Sequence, residues 1–291
     1  MCYTGIMRWT PGNVSSDIED RRGGGGGFRF GRGPTIGCGG AIILLVISLL
    51  TGRNFLTLFD GSGSGPQPSG PTATSTAPVN ETPEERQRVE FISDVLDENQ
   101  NTWTQVFQQE GIQYQRAKLV LFRDLTRSEC GLGQAASGPF YCPADGKVYL
   151  DLSFFDELDR RFGAPGDFAQ AYVVAHEIGH HVQNLLGTST RVQEAMRSDE
   201  RNANEYSVRL ELQADCYAGV WAHNAAQKGI LETGDVEEGM GAASAVGDDR
   251  MQQMSGRGVN PDSFTHGSSE QRVEWFQRGL QSGRMRDCET F

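Results

Sequence analysis

With 38 acidic against 26 basic side chains over 291 residues, the chain carries a formal net charge of −12. Phosphate backbones repel a protein of that sign, so no nucleic-acid partner is expected. At 37 % hydrophobic and 22 % charged, the composition suits a globular unit with a real core and excludes a wholly disordered or fibrous chain.

Residues 1–34 read as a disordered cytoplasmic tail, because the Gly23–Gly27 run offers nothing to pack. Residues 35–59 contain the uncharged run Ile36-Gly-Cys-Gly-Gly-Ala-Ile-Ile-Leu-Leu-Val-Ile-Ser-Leu-Leu50, which is just long enough for one transmembrane helix and a contact with the lipid bilayer. Arg21, Arg22, Arg29 and Arg32 precede it and Arg53 follows. The positive-inside rule then predicts a single-pass protein of a bacterial cell membrane, its N-terminus cytoplasmic and its larger part periplasmic or extracellular. A cleaved signal peptide fits less well, since the charged preface is long and glycine-rich. Residues 60–82 form a Gly/Ser/Pro-rich linker.

The remaining 83–291 are ample for one domain. Thr82-Pro83-Glu84-Glu85 is a helix start, and Val89, Ile92, Val95, Leu96, Trp103, Val106 and Phe107 keep helical spacing after it. Leu119–Phe122 and Lys147–Asp151 read as strands. The strand preceding the next helix offers an edge to which an extended peptide could add. The expected architecture is α+β, mostly helical, with a small antiparallel sheet. Cys130, Cys142, Cys216 and Cys288 are disulfide candidates for an oxidising compartment, paired Cys130–Cys142 across a Gly/Ser-rich loop and Cys216–Cys288. No Cys-x-x-Cys spacing favours a cysteine-ligated zinc.

Pro165-Gly166-Asp167 opens an apolar helix that carries His176-Glu177-Ile-Gly-His180 and stops near Gly187. On a helix His176 and His180 share a face one turn apart, so both imidazoles can reach one metal ion. Glu177 lies roughly 100° round, placed to act as general base on a metal-bound water without being a ligand. A second helix carries Glu211 and Asp215, again one turn apart. Glu211 is the expected third ligand, with Glu205 as the alternative. Asp215 is expected to accept the outer nitrogen of His176 and fix its tautomer. Ala218 and Gly219 are small enough to let this helix approach the first. His181 points away from the shared face, which suggests a packing role, and His223 reads as a helix-surface residue.

Toward the C-terminus, Ser268 and Gln271 have the spacing of a capping box before a helix through Val273, Trp275, Phe276 and Leu280. A group opposite the zinc is needed to hold an oxyanion. His266, Tyr206 and Arg272 are the candidates, with His266 foremost.

His176-Glu-Ile-Gly-His180-His181-Val-Gln183, followed by Glu211-Leu-Gln-Ala-Asp215-Cys-Tyr-Ala-Gly219-Val-Trp221, resembles the bacterial neutral zinc metallopeptidase family. Met7-Arg8-Trp9, Asp20-Arg21-Arg22, Ser137-Gly-Pro-Phe-Tyr-Cys142-Pro and Val148 through Phe155 extend the likeness over most of the chain. The resemblance implies a gluzincin-like site on a zincin-like domain, with His176, His180 and Glu211 as ligands. Thr265-His266 followed by Arg272 is also similar to a segment of membrane-bound gluzincins. A metzincin pattern does not fit, because Gln183 stands where that pattern needs glycine. Together these features point to a membrane-anchored zinc endopeptidase with one Zn²⁺ per chain, acting on protein or peptide. The rivals are a membrane-tethered scaffold with a structural zinc and a zinc amidase acting on cell-wall material. A closed structural site has no use for Glu177, which weighs against the scaffold.

Overall fold

The computed structural model describes residues 7–23, 79–134, 138–256 and 258–291. The chain runs β1 (Ile18–Asp20), α1 (Pro83–Gln109), β2 (Lys118–Phe122), β3 (Leu125–Ser128), β4 (Gly131–Gln134), β5 (Phe140–Cys142), β6 (Lys147–Asp151) and α2 (Ser153–Arg160). It continues through α3 (Asp167–Leu185), α4 (Thr188–Ser198), α5 (Ala203–Gln227), α6 (Asp235–Ala245), α7 (Asp248–Met254) and α8 (Ser269–Ser282). The architecture is α+β and mostly helical. The expected transmembrane run 35–59 and most of the linker lie outside the described residues, as do Cys2 and Cys38. Among the described residues no helix is long and apolar enough to cross a membrane.

α1 begins where Thr82 accepts the Glu85 N–H as its N-cap, and buries Val89, Ile92, Val95, Leu96, Trp103 and Phe107 along one stripe. β3 and β4 pair as a small antiparallel sheet, as expected, whereas the four-stranded sheet departs from that expectation. Its order is β1-β2-β6-β5, with β1, β2 and β6 parallel and only β5 antiparallel to its neighbour. The segment from β3 to β5 returns the chain to the starting end of the sheet, which makes β6 parallel to β2. Side chains alternate across it: Leu119, Leu121, Val148 and Leu150 enter the main core, while Val120, Phe122 and Tyr149 form a small cluster on the other face. β6, the strand nearest in sequence to α3, is interior and not an edge. The edge strand beside α3 is β5.

Residues 7–23 also depart from expectation. They are folded and not a disordered tail, with Met7 in the main core and β1 completing the sheet. A three-residue strand ahead of a glycine run leaves almost no local signature, since its pairing partner lies about a hundred positions later.

α3 sits at the centre, packed on α1, α5 and α6. Its approach to α5 depends on Gly179, where an added Cβ would lie 2.9 Å from the Ala214 carbonyl oxygen. Gly219 does not face α3, as had been expected. It packs against α8, where a Cβ would lie 2.1 Å from the Phe276 carbonyl oxygen. Disulfides join Cys130 to Cys142 and Cys216 to Cys288. The second ties the C-terminus to α5 and, on the chain-entropy model, contributes about 4 kcal/mol for a loop of this length.

Candidate metal centre

α3 and α5 cross so that three side chains converge. His176 Nε2 lies 3.2 Å from Glu211 Oε2, and His180 Nε2 lies 3.5 Å from Glu211 Oε1. One donor atom from each of the three falls within 4.8 Å of the others. The close contact at Gly179 makes this possible, because a larger residue would lift Glu211 away from the histidines.

Each imidazole is anchored at its far nitrogen. His176 Nδ1–H donates to Asp215 Oδ1 at 2.8 Å, and His180 Nδ1–H donates to Gln183 Oε1 at 2.8 Å. Both acceptors hold a proton on Nδ1, so Nε2 is the atom each ring turns toward Glu211 and the one free to ligate a metal once deprotonated. Gln183 is held in turn, its Nε2 donating to the Leu210 carbonyl at 2.6 Å and to Gln213 Oε1 at 3.1 Å. Asp215 is fully buried and accepts the Tyr172 hydroxyl as well as Arg272.

The electrostatics follow from burial working against a dense set of charges. Burial disfavours the Asp215 carboxylate, but Arg272 and His176 outweigh it and hold its pKa below the usual value. Burial likewise opposes charge on His176, yet Asp215 and Glu211 push its pKa up to about 9. Glu211 is held well below the carboxylate range, its desolvation outweighed by the two imidazoles. Glu177 is the exception. It is 8 % exposed, burial dominates, and its pKa is raised.

Two imidazole nitrogens and one carboxylate oxygen, with tautomers preset and ring directions fixed, form the donor set that zinc takes at catalytic sites. The arrangement therefore fits the ion. Among the described residues one other trio converges as closely, Asp167, Asp235 and Glu238, but it has no nitrogen donor.

His266 is held beside the cluster on the loop between α7 and α8. Its Nδ1 donates to Asp248 Oδ1 at 3.2 Å. Asp248 Oδ2 takes the backbone N–H groups of Thr265, His266 and Gly267 at 2.7, 2.7 and 3.1 Å. Burial lowers the tendency of His266 to charge, but Asp248 and then the nearby Glu211 carboxylate outweigh it, and its pKa is raised.

The other candidates are placed elsewhere or in different roles. Arg272 is buried against Asp215 and so does not face the convergence point of the ligands. Glu205 is exposed and paired with Arg209, outside the ligand trio. Tyr206 is half-buried on α5. His181 is buried, accepting the Tyr141 hydroxyl at 3.0 Å and donating to the Gln115 carbonyl at 2.6 Å. His223 is not a simple surface residue, since it donates to the Leu280 carbonyl in the last turn of α8 at 2.7 Å.

The model of the family described as "Putative neutral zinc metallopeptidase" matches residues 7–291. The chain belongs to this family. The YpfJ protein of Escherichia coli K12 is 46 % identical over 98 % of this chain and 99 % of its own length. Protein Rv2575 of Mycobacterium tuberculosis H37Rv is 45 % identical over 61 % of this chain and 63 % of its own, and Mb2605 of Mycobacterium bovis matches to the same extent. No solved structure matches the chain.

The match of this metallopeptidase family model begins at Met7, the first of the described residues. Sequence reasoning missed three supports of the site: Gln183 under His180, Tyr172 on Asp215, and Asp248 under His266. Gln183 had a usable signal, since it stands three residues after His180 on the same helix. Asp248 had none, because it meets His266 only through the turn between α7 and α8.

Proposed function

We propose that the chain is a zinc-dependent endopeptidase. The observation that carries this reading is the convergence of His176 Nε2, His180 Nε2 and Glu211, with Glu177 buried beside them and in no ion pair among the described residues. When bound, zinc supplies a Lewis acid that polarises an acyl carbonyl and lowers the pKa of water. His176, His180 and Glu211 would hold it. Asp215 and Gln183 keep the imidazoles in the liganding tautomer. Glu177, its pKa raised by burial, accepts the proton of the attacking water and passes it to the leaving amine. His266, its Nδ1–H held by Asp248, is the group placed to donate a hydrogen bond to the developing oxyanion. The outer edge of β5, which pairs with no further strand among the described residues, offers backbone groups to an extended substrate. A scaffold with a structural zinc has no role for a buried, unpaired Glu177 or for a His–Asp pair next to it.

We also propose that the folded unit works outside the cytoplasm at a bacterial membrane, with 35–59 as the lipid-contacting run. Two disulfides in one domain support an oxidising compartment.

The test is cleavage of unfolded casein by the purified, zinc-loaded full chain beside Glu177→Gln. The expected result is zinc retained by both and turnover reduced about 10²–10⁴-fold in the variant. Equal cleavage by the two would overturn the mechanism. Zinc binding without cleavage by the parent would overturn the endopeptidase reading for an unfolded protein substrate.

A further inference from the structure

Two helix ends meet at the start of α3, and both are acidic. Asp167 opens α3, while Asp235 and Glu238 lie in the first turn of α6. One carboxylate oxygen from each falls within 4.8 Å of the others. Glu238 rests against Gly166, where an added Cβ would meet its Oε2 at 2.0 Å. Only a residue without a side chain admits this carboxylate to the end of α3, where Oε2 takes the Phe168 N–H at 3.2 Å. Asp167 lies roughly 14 Å along the α3 axis from His176, on the helix rise per residue. The trio is therefore separate from the zinc ligands.

The decisive residue is Asp235, which is 0 % exposed. Its Oδ2 accepts the Glu232 N–H at 2.8 Å, but its Oδ1 is buried with no hydrogen-bond partner among the described residues. Asp167 repeats the pattern. Its Oδ1 accepts the Phe168 N–H at 2.8 Å, and its Oδ2 is buried and unpartnered. One turn along α3, Gln170 donates to the Gly166 carbonyl at 3.4 Å and leaves its own Oε1 buried without a partner. Buried acceptors are ordinarily satisfied, and buried charges are paired or coordinate a metal. A proton shared between two carboxyls would satisfy one of these oxygens and leave the others.

Charge points the same way. No cation offsets any of the three carboxylates among the described residues. Each helix N-terminus carries about half a positive charge, so the two ends together offset roughly one carboxylate of the three. A divalent cation balances the remainder. Donors that are all oxygen select a hard ion, and calcium accepts irregular carboxylate and carbonyl sets where magnesium demands a near-ideal octahedron. We propose that Asp167, Asp235 and Glu238 form a calcium site that fastens the start of α3 to α6. The Met7 N–H also donates to Asp167, so the ion ties the N-terminal segment to the helix that carries His176 and His180.

The purified, zinc-loaded full chain is titrated with calcium chloride at pH 8 by calorimetry, beside Glu238→Gln and Asp235→Asn, with zinc content followed throughout. The expected result is one calcium per parent chain in addition to the zinc. Each variant should bind calcium about tenfold more weakly or worse, a loss typical of removing one charged ligand, and keep its zinc. Urea midpoints separate a cation site from plain carboxylate repulsion. In calcium-free buffer Glu238→Gln should be more stable than the parent, and at millimolar calcium the order should reverse. No calcium uptake by the parent, or a parent midpoint that calcium leaves unmoved, would overturn the proposal and leave carboxyls that share protons. Calcium held as tightly by both variants as by the parent would overturn the placement of the ion. An equal rise of the parent midpoint with magnesium chloride would overturn the choice of calcium.

Discussion

Arg272 grips both carboxylate oxygens of Asp215, its Nε 2.8 Å from Oδ2 and its Nη2 2.9 Å from Oδ1. The pair lies in the core, Arg272 being 3 % exposed and Asp215 0 %, and connects α8 to α5 directly beneath His176. Asp215 therefore meets His176 as a charged acceptor whose position is set from the C-terminal helix. In this way the last helix of the chain controls the direction of a ligand ring on α3.

Removing either partner should have separable effects. Arg272→Met leaves the Asp215 charge buried without its cation, and the expected loss is about 3–5 kcal/mol of unfolding free energy, read by urea denaturation of the zinc-loaded protein. Asp215→Asn keeps the shape but weakens the acceptor for His176, and zinc affinity should fall about 10–100-fold in a chelator competition. An Asp215→Asn protein that binds zinc as tightly as the parent would remove the anchoring role.

Gln183 offers a parallel test on the other imidazole. Gln183→Met preserves length and apolar volume while deleting the acceptor of His180 Nδ1–H. The expectation is again a loss of about 10–100-fold in zinc affinity. Because Gln183 also ties α3 to the Leu210 carbonyl, a small loss of stability should accompany it. Unchanged affinity together with lowered stability would assign Gln183 a packing role alone.

How much of this was legible in the chain divides along physical lines. His176, Glu177 and His180 repeat within one helix turn, and Glu211 and Asp215 do so on another, so local periodicity alone groups them. The direction of strand pairing, the packing of residues 7–23 and the partners of Asp215 and His266 arise between elements distant in sequence. Arg272 illustrates the limit: the chain marks it as a candidate near the site, but only the crossing of α8 over α5 shows it serving Asp215. Gly219 illustrates it too, since a small residue announces a close contact without naming the helix it meets.

That crossing supports a sharper prediction. At Gly279 an added Cβ would lie 1.9 Å from the Cys216 carbonyl oxygen, and Gly219 faces the same seam from α5. Helix propensity alone makes Gly→Ala in a helix stabilising by about 1 kcal/mol. Backbone overlap makes it destabilising by about 1–3 kcal/mol or more. Gly279→Ala should therefore lower the urea midpoint, and because α8 carries Arg272, zinc affinity should fall with it. A raised midpoint would show that relieving the overlap costs less than the roughly 1 kcal/mol gained in helix propensity.

The last prediction concerns pH and lies away from the zinc ligands, at the start of α3. Asp167, Asp235 and Glu238 bring carboxylates together there without an ion-pair partner among the described residues. Burial first, then the neighbouring carboxylates, push Glu238 up to about 7 and Asp235 up to about 6. In the unfolded chain these groups titrate near ~4.3 and ~3.9. Between those values and the raised ones the folded state binds more protons than the unfolded state, so stability falls as pH rises from about 4 to 7. Below the unfolded values both states are protonated and the penalty vanishes. Glu238→Gln removes the ionisable group while keeping an acceptor for the Phe168 N–H, which Glu238 Oε2 takes at 3.2 Å. In calcium-free buffer the variant should have a higher urea midpoint than the parent at pH 8, with the advantage shrinking as the pH falls and vanishing only below about pH 4. Zinc-linked titration is common to both proteins and cancels in the difference. A difference independent of pH would mean that Glu238 ionises as freely in the folded chain as in the unfolded one.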